Sequence, residues 1–382
     1  MYICTRNRKN RADAPPLESH IHPHPPGPLR VRPGAVGLCR SISETVQGEA
    51  GHRHRHIPRR CYDAFPPDGY DCDGFFEELG DITRDADISV ANLEFSLAGK
   101  PYTGYPSFSA PDRYAYSIAA HGVDVFLTAN NHILDKGRRG IRRTLQVYDS
   151  MLDSCGVRYT GCAADPAADS LLNPLVIVGK GIRLAFVNFT YGSNYEPYDG
   201  WPLIHSMDRE DVGQMIARAK ERGADFIIAL PHWGDEFILR HSREQEEWAA
   251  WLADQGADLI VGAHPHVIQD TSHVRGVPVI YSMGNAVSNM SKENTRLELA
   301  VRARFVHFPD GSKKMLEPEL VFLWCCLPGT LRDNYVTIPV RDFLGRRDEW
   351  LDPSDYDNMT ATYHRVIKQT GIYEENHQAG SH

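Results

Sequence analysis

Four apolar runs of the sequence end in side chains that bind divalent cations well, and each run passes directly into a polar cluster with turn residues. These side chains are Glu94, Asn131, His132, His232, His264 and His266. A carboxylate, an amide oxygen and imidazoles suit Mn, Fe or Zn better than Ca or Mg. A buried polar group without a partner costs ~1–3 kcal/mol, so one shared cation would satisfy all of them at once. A single histidine at a strand end is usually structural. The repetition of cation-binding side chains at four strand ends is what favours a metal centre.

The H-P-H segment at 264–266 is the most specific of these clusters. Side chains of an extended chain alternate with period two, so His264 and His266 are expected on the same side of it. The proline between them fixes the backbone. Asn130 and Asn131, taken alone, are also compatible with an ordinary turn.

The elements that must position these residues alternate between strand and helix. Strands are predicted at 86–95, 123–129, 174–179, 182–190, 225–230, 258–263 and 278–283, and helices at 75–84, 140–152, 207–222 and 242–255. In open α/β sheets, ligands bind outside the carboxyl ends of the strands, where the polar clusters lie. The sequence therefore predicts an α/β fold with a largely buried sheet, in which residues 61 to 345 form one domain and 346–382 a polar helical C-terminal tail.

Composition excludes several classes of protein. The 382 residues include 41 basic and 50 acidic side chains, for a net charge of −9, which argues against nucleic-acid binding because that needs clustered positive charge. No apolar run is long enough to span a bilayer or to form a signal sequence. Eight cysteines without a C-x-x-C pair do not form a disulfide scaffold.

Residues 1–60 differ in composition from the rest, with eight of the 25 prolines, 11 basic residues and four acidic ones. We expect this segment to be disordered, since it has little apolar surface to bury. Three interpretations stay open: a metal-capturing tail through the histidines at 20–24 and 52–56, an anion-binding or targeting arm at Arg59 and Arg60, or non-native sequence from a frameshift or misassigned start.

Five segments, in order, resemble the blocks of the CapA family, the capsule-synthesis (poly-gamma-glutamate) proteins of the calcineurin-like metallophosphoesterase superfamily. They are VANLEFSLAG, TANNHILDKGRRGIRRTL, PHWGDEF, GADLIVGAHPHVIQ and YSMGN. Each block is weak alone, but the order and spacing agree from about residue 61 to the tail. The resemblance implies a four-layer α/β/β/α metallophosphatase-like sandwich with two divalent cations between the sheet ends.

The resemblance also implies roles for the metal-binding residues. Glu94 takes the place of the bridging carboxylate, and Asn131 that of the amide ligand. His232 and His264 match ligands of one cation, and His266 a ligand of the other. The expected ions are two of Mn, Fe or Zn.

Catalytic and substrate-binding roles follow from the same likeness. His132 matches the histidine that acts on the substrate as general acid, and Asp135 is placed to orient it. Asn130, Glu236 and Asn285 lie within the matching blocks and are candidate substrate-binding residues, although no chemical role for Glu236 follows from the sequence.

One departure from the family concerns its first strand, which ends in Gly-Asp and supplies a metal-binding aspartate. No such strand is recognisable here, because Gly80-Asp81 follows a helical run and lies only 13 residues before Glu94. Taken literally, the sequence predicts a sandwich that lacks this strand, in which the second cation keeps only Glu94 and His266. The alternative is a frameshift or misplaced start within residues 1–60, which would have removed the strand from this sequence.

Three hypotheses about function remain open at this point. The first is a metal-dependent hydrolase of a phosphoester or related bond, with His132 protonating the leaving oxygen. The second is a non-catalytic accessory component of an envelope polymer-synthesis complex, and the third is an inactive paralogue that lacks the first metal-binding aspartate. The family implies a location at the cell envelope, on the periplasmic side, and membrane association only through a leader that this chain does not contain.

Overall fold

The computed structural model describes residues 36–43, by their backbone only, together with 72–196, 198–308 and 310–373. The helices are α1 Gly80–Thr83, α2 Asp112–Ala120, α3 Gly137–Cys155, α4 Pro166–Leu172, α5 Arg209–Glu221, α6 Arg243–Gln255, α7 Val340–Phe343 and α8 Pro353–Thr370, with 3-10 turns at Asp73–Leu79 and Arg347–Glu349. The strands are β1 Val36–Ser43, β2 Ile88–Glu94, β3 Val125–Leu127, β4 Arg158–Thr160, β5 Cys162–Ala163, β6 Leu175–Gly179, β7 Ile182–Thr190, β8 Leu203–Ile204, β9 Phe226–His232, β10 Leu259–Val261, β11 Thr271–Val274, β12 Val277–Ile280, β13 Leu297–Arg302, β14 Phe305–His307, β15 Lys313–Met315, β16 Glu319–Cys326 and β17 Val336–Pro339.

Two large sheets organise the described part of the chain. The first has seven strands in the order β17-β16-β13-β1-β2-β3-β4, and the second has six in the order β11-β12-β10-β9-β7-β6. The neighbours from β1 to β4 pair in parallel, as do β7 with β9, β9 with β10 and β10 with β12. Several parallel strands of each sheet therefore end at one edge, which is the arrangement that brings strand-end residues together.

The two sheets pack face to face, with helices outside them. Along β7, Leu184 and Phe186 belong to the core shared with the first sheet, whereas Ala185 and Val187 belong to the core under α5 and α6. On the other side, Phe126 of β3 contacts Tyr148 of α3. These layers form the predicted α/β/β/α sandwich, so the fold class is confirmed.

The first strand, which the sequence analysis did not find, is present as β1. It pairs in parallel with β2, with Ser43 opposite Glu94, and antiparallel with β13. The expectation of a missing strand is therefore wrong. Strand β1 also lies within residues 1–60, the segment that the sequence separated from the domain at 61–345. Its sequence, VGLCRSIS, contains polar residues at interior positions, which is why the apolar pattern did not reveal it. The His-rich and Arg-rich strings of residues 1–60 lie outside the described residues.

Local signals in the sequence account for several element boundaries. Helix α6 begins with a capping box between Ser242 and Gln245 and ends at Gly256, which has a left-handed backbone (φ 93°). The predicted hairpin at Lys180-Gly181 joins β6 to β7 in antiparallel register. Strand β7 has the predicted bounds, and β2, β3, β6 and β10 are one to four residues shorter than predicted. Strand β12 begins one residue earlier and ends three residues earlier than predicted, and β9 continues to His232.

The C-terminal helix α8 lies against the first sheet. Met359 and Val366 are fully buried, and the ring of Tyr363 packs edge-on against Phe322 of β16, 5.0 Å between centroids. Within the described ranges, no helix combines the length and apolarity required to cross a bilayer.

A buried histidine between two aspartates should make the stability of the fold depend on pH. His205 Nε2 lies 2.7 Å from Asp169 Oδ1 and Nδ1 lies 2.8 Å from Asp211 Oδ1. Burial alone would lower the pKa of His205, but the two carboxylates outweigh it and raise the pKa to about 9. The folded protein thus holds this proton more tightly than the unfolded chain, whose histidine pKa is about 6.5. The stabilisation is complete below that pH and is lost as the pH rises toward 9.

We expect the free energy of unfolding to fall by up to about 3 kcal/mol between pH 6.5 and 9, measured by urea denaturation. His205→Gln should remove most of this slope. His121→Gln is the matched control, because the His121 ring contacts the Ser117 carbonyl oxygen rather than a carboxylate. An unchanged slope in His205→Gln would contradict this assignment.

Candidate metal centre

The predicted ligands converge where the strands of the two sheets end. Glu94 is the last residue of β2 and His232 the last of β9. Asn131 follows β3, and the H-P-H segment follows β10. Backbone hydrogen bonds join these loops to one another, from Trp233 N to the Ala263 carbonyl oxygen (3.0 Å) and from Asn194 N to that of Asn131 (3.0 Å).

The side-chain distances are those of two adjoining groups of potential ligands. Ligand atoms of Glu94, His232 and His264 all lie within 4.8 Å of one another. His232 Nε2 is 2.9 Å from Asn131 Oδ1 and 3.8 Å from Glu94 Oε1. His266 Nε2 lies 3.8 Å from the same Glu94 oxygen, so Glu94 stands between the two sets of imidazoles.

Asn285 fixes the orientation and the tautomer of His266. Its Nδ2 donates to the carbonyl oxygens of His266 (3.3 Å) and Thr295 (3.1 Å), which leaves Oδ1 to accept from His266 Nδ1 at 3.0 Å. The proton of the neutral imidazole is therefore on Nδ1, and the lone pair of Nε2 faces Glu94. A metal-binding histidine commonly has such a partner on its other nitrogen.

The H-P-H segment brings its two imidazoles together by a different route from the predicted one. It is not extended, because His264 (φ 105°) and His266 (φ 59°) both have positive φ, which non-glycine residues rarely adopt. The rings nevertheless lie 5.9 Å apart between centroids. Backbone strain of this kind persists where the surroundings enforce it, and it is found often at functional sites.

Burial keeps the three imidazoles neutral. Desolvation, followed by the charges of the neighbouring histidines, lowers the pKa of His264 to about 3 and that of His232 well below its usual value. Burial also lowers the pKa of His266, to about 4. All three therefore present lone pairs at neutral pH, in the form that binds a metal.

His132 lies beside this group and has different electrostatics. Its Nδ1 is 2.8 Å from Asp135 Oδ2, which also accepts a 2.7 Å hydrogen bond from Phe108 N. Burial opposes protonation of His132, but the hydrogen bond to Asp135 and the charge of Glu94 outweigh it and raise its pKa. Near neutral pH the imidazole can therefore carry a second proton on Nε2.

The donor set fits a divalent cation. Glu94 is completely buried and accepts a 3.3 Å hydrogen bond from Asn92 Nδ2, and neither His232 Nδ1 nor His264 Nδ1 has a hydrogen-bond partner among the described residues. A carboxylate grouped with neutral imidazole nitrogens is a donor set that binds divalent cations. Nitrogen and oxygen ligands in this combination suit Mn, Fe and Zn.

The three candidate substrate-binding residues have different positions. Asn285 is buried against His266, and Asn130 is completely buried, with Nδ2 donating to the Leu93 carbonyl oxygen (2.9 Å) and Oδ1 accepting from His132 N (3.1 Å). Both amides hold the loops that carry the potential ligands, and their binding of substrate stays a prediction. Glu236 is half-exposed at the rim, 3.9 Å from His266 Nε2.

Two further side chains adjoin the centre from the loop YGSN, for which the sequence left a substrate-groove lining and ordinary loop packing open. Asn194 Oδ1 accepts from Asn131 Nδ2 (3.3 Å), and Asn194 Nδ2 lies 3.3 Å from His132 Nδ1. The ring of Tyr191 packs against that of His264, with centroids 4.6 Å apart. The only signal for both was the aromatic and polar loop YGSN that follows strand β7.

The family of the chain follows from comparison with known proteins. The family model described as "Bacterial capsule synthesis protein PGA_cap" matches residues 34–290, which is more than half of the sequence. The chain belongs to the PGA_cap family. The resemblance to CapA proteins in the five sequence blocks is thereby confirmed, and the PGA_cap match includes β1.

Individual relatives of this PGA_cap chain agree with the assignment. It is 27% identical over 236 residues to the PGA biosynthesis protein CapA of Bacillus subtilis, covering 59% of each chain. It is 25% identical over 258 residues to the capsule biosynthesis protein CapA of Bacillus anthracis, covering 65% of this chain and 61% of that one. The chain thus spans about three fifths of the length of these curated relatives. Among solved structures, the sulfate thiohydrolase SoxB of Thermus thermophilus is similar at a TM-score of 0.40 and 14% identity, over 74% of this chain and 43% of that one.

Proposed function

We propose that this protein is a CapA-type capsule-synthesis protein that uses a centre of two divalent cations to hydrolyse a phosphoester or related bond. The observation that carries the proposal is the convergence of Glu94, His232, His264 and His266 in two adjoining groups, next to a protonatable histidine. The family and its capsule-biosynthesis relatives support the biological setting.

The protein's residues would divide the work between binding and proton transfer. Glu94, Asn131, His232 and His264 would hold one cation, and Glu94 and His266 would hold part of the shell of the other. Bound cations of this kind activate water and neutralise charge on the reacting group.

His132 would donate the proton that the leaving oxygen needs. Asp135 keeps Nδ1–H occupied, so that the proton available for transfer is the one on Nε2. Phe108 packs edge-on against the imidazole, 4.6 Å between centroids, and limits its movement. Asn194 Oδ1 accepts a hydrogen bond from Asn131 Nδ2, and the Asn194 side chain lies beside the imidazole of His132.

The test is turnover of bis(4-nitrophenyl) phosphate by the full chain loaded in turn with Mn²⁺, Fe²⁺ and Zn²⁺. Wild type should hydrolyse it with at least one ion, and His264→Ala should lose about 10²-fold or more of the rate, because cation stabilisation of transition-state charge is worth several kcal/mol. His273→Ala, which alters an exposed histidine paired with Glu317, should retain full activity.

Equal inactivity of wild type and His264→Ala with every ion would overturn the hydrolase. A chain that retains its cations but hydrolyses nothing would instead favour the accessory role in an envelope polymer-synthesis complex. Co-purification with the other subunits of such a complex, unaffected by His264→Ala, would then be expected.

A further inference from the structure

The carboxylate that the family takes from its first strand has no counterpart within β1. This strand reads VGLCRSIS, and the residue opposite Glu94 is Ser43. The second cation of the proposed centre would therefore have too few ligands if it relied on Glu94 and His266. A cation that keeps only two protein ligands is weakly held, since protein sites usually supply three or four.

A different loop brings a carboxylate to the same place. After β9 the chain turns at Gly234 (φ 89°), and Phe237 N donates a 2.8 Å hydrogen bond to the carbonyl oxygen of Pro265. This bond joins the loop of residues 233–237 directly to the H-P-H segment. Glu236, the residue before Phe237, is therefore held over the two histidines.

The ligand atoms of Glu236, His264 and His266 all lie within 4.8 Å of one another. His266 Nε2 is 3.9 Å from Glu236 Oε1 and 3.8 Å from Glu94 Oε1, so that it lies between two carboxylates. Asn285 holds the proton on the other nitrogen of this ring, which leaves Nε2 as a lone-pair donor toward both. The three side chains thus lie together from two loops, the one after β9 and the one after β10.

The geometry points to Glu236 as a ligand of the second cation, in the role that an aspartate after the first strand has elsewhere in the family. This assignment rests on the proposed two-cation centre and completes its second half. Glu236 is half-exposed, whereas Glu94, His232 and His264 are buried. The second cation would accordingly be the more accessible and the more easily exchanged of the two.

Metal stoichiometry tests the assignment without any enzymatic assay. The full chain is stripped with a chelator, titrated with Mn²⁺ by calorimetry, and its bound metal is measured by mass spectrometry. We expect two ions per chain in wild type and one in Glu236→Gln. Asp235→Asn, which changes the neighbouring carboxylate outside both ligand groups, should keep two. In Mn²⁺ EPR, wild type should give the signal of a spin-coupled pair, and Glu236→Gln that of an isolated ion.

A rival carboxylate is Glu44, which follows β1 directly in the sequence. Loss of the second ion in Glu44→Gln together with two ions in Glu236→Gln would overturn the assignment and leave the two-cation centre intact. If wild type and Glu236→Gln bind the same number of ions per chain, whether one or two, the assignment of Glu236 is also overturned. No bound ion in wild type would refute the proposed function itself.

Discussion

Glu94→Gln should abolish the stabilisation of the protein by divalent cations and reduce hydrolysis by about 10³-fold or more. Glu94 faces both groups of imidazoles, with the same oxygen 3.8 Å from His232 Nε2 and from His266 Nε2. Glutamine keeps the shape of the side chain but removes the charge that both cations would share. Since cations neutralise several kcal/mol of transition-state charge, loss of their shared ligand should affect rate and binding together.

The same variant tests the role of Glu94 through the effect of cations on thermal unfolding. Mn²⁺ at 100 times its dissociation constant should stabilise wild type by about 2.7 kcal/mol, which corresponds to roughly 4 °C in Tm for a domain of this size. Glu94→Gln should show no such increase.

Asp124→Asn provides the matched control for this experiment. Asp124 is a largely buried carboxylate that accepts a 2.8 Å hydrogen bond from Ser89 N, at the opposite end of β2 from Glu94. This variant should shift Tm equally with and without Mn²⁺. A cation-dependent increase in Glu94→Gln as large as in wild type would contradict the role of Glu94 as a shared ligand.

His132→Asn should lower hydrolysis by an amount that depends on the leaving group. A phenolate without electron-withdrawing groups needs the proton of His132, so its release should slow by about 10²–10⁴-fold. 4-Nitrophenolate leaves readily without a proton, and its release should slow by about tenfold at most. The number of bound cations should stay at the wild-type value, because His132 belongs to neither ligand group.

The measurement is kcat/KM for a series of aryl phosphodiesters, whose dependence on leaving-group basicity should be steeper for His132→Asn than for wild type. His241→Asn is the matched control, since His241 Nδ1 makes a similar 3.0 Å contact with Asp270 Oδ1 away from the ligand groups. If His132→Asn lowers kcat/KM by the same factor for every substrate, His132 positions other groups and does not transfer the proton.

The metal ligands could be predicted from the sequence because each follows an apolar run of strand length. Such runs identify buried strands, and the carboxyl ends of parallel strands meet at one edge, so Glu94, Asn131, His232 and His264 were expected together before any distance was known. The fold class follows from the same alternation of strands and helices.

Other features depend on tertiary contacts that no local pattern records. Strand β1 is polar in its interior and is held by pairing with β2 and β13. The contact of Asn285 with His266 spans 19 residues and exists only in the folded chain. Glu236 reaches the histidines through a glycine turn and one hydrogen bond to Pro265, neither of which sequence spacing predicts.

Anomalous diffraction from crystals of the full chain soaked in Mn²⁺ or Zn²⁺ tests the central claim most directly. If the strand-end ligands converge on bound metal, the crystals should show two anomalous peaks. One peak should be enclosed by Glu94, His232 and His264, and the other should lie between Glu94 and His266. Strong peaks elsewhere on the molecule with none at Glu94, at ion concentrations that saturate calorimetric binding, would contradict the metal centre and the hydrolase built on it.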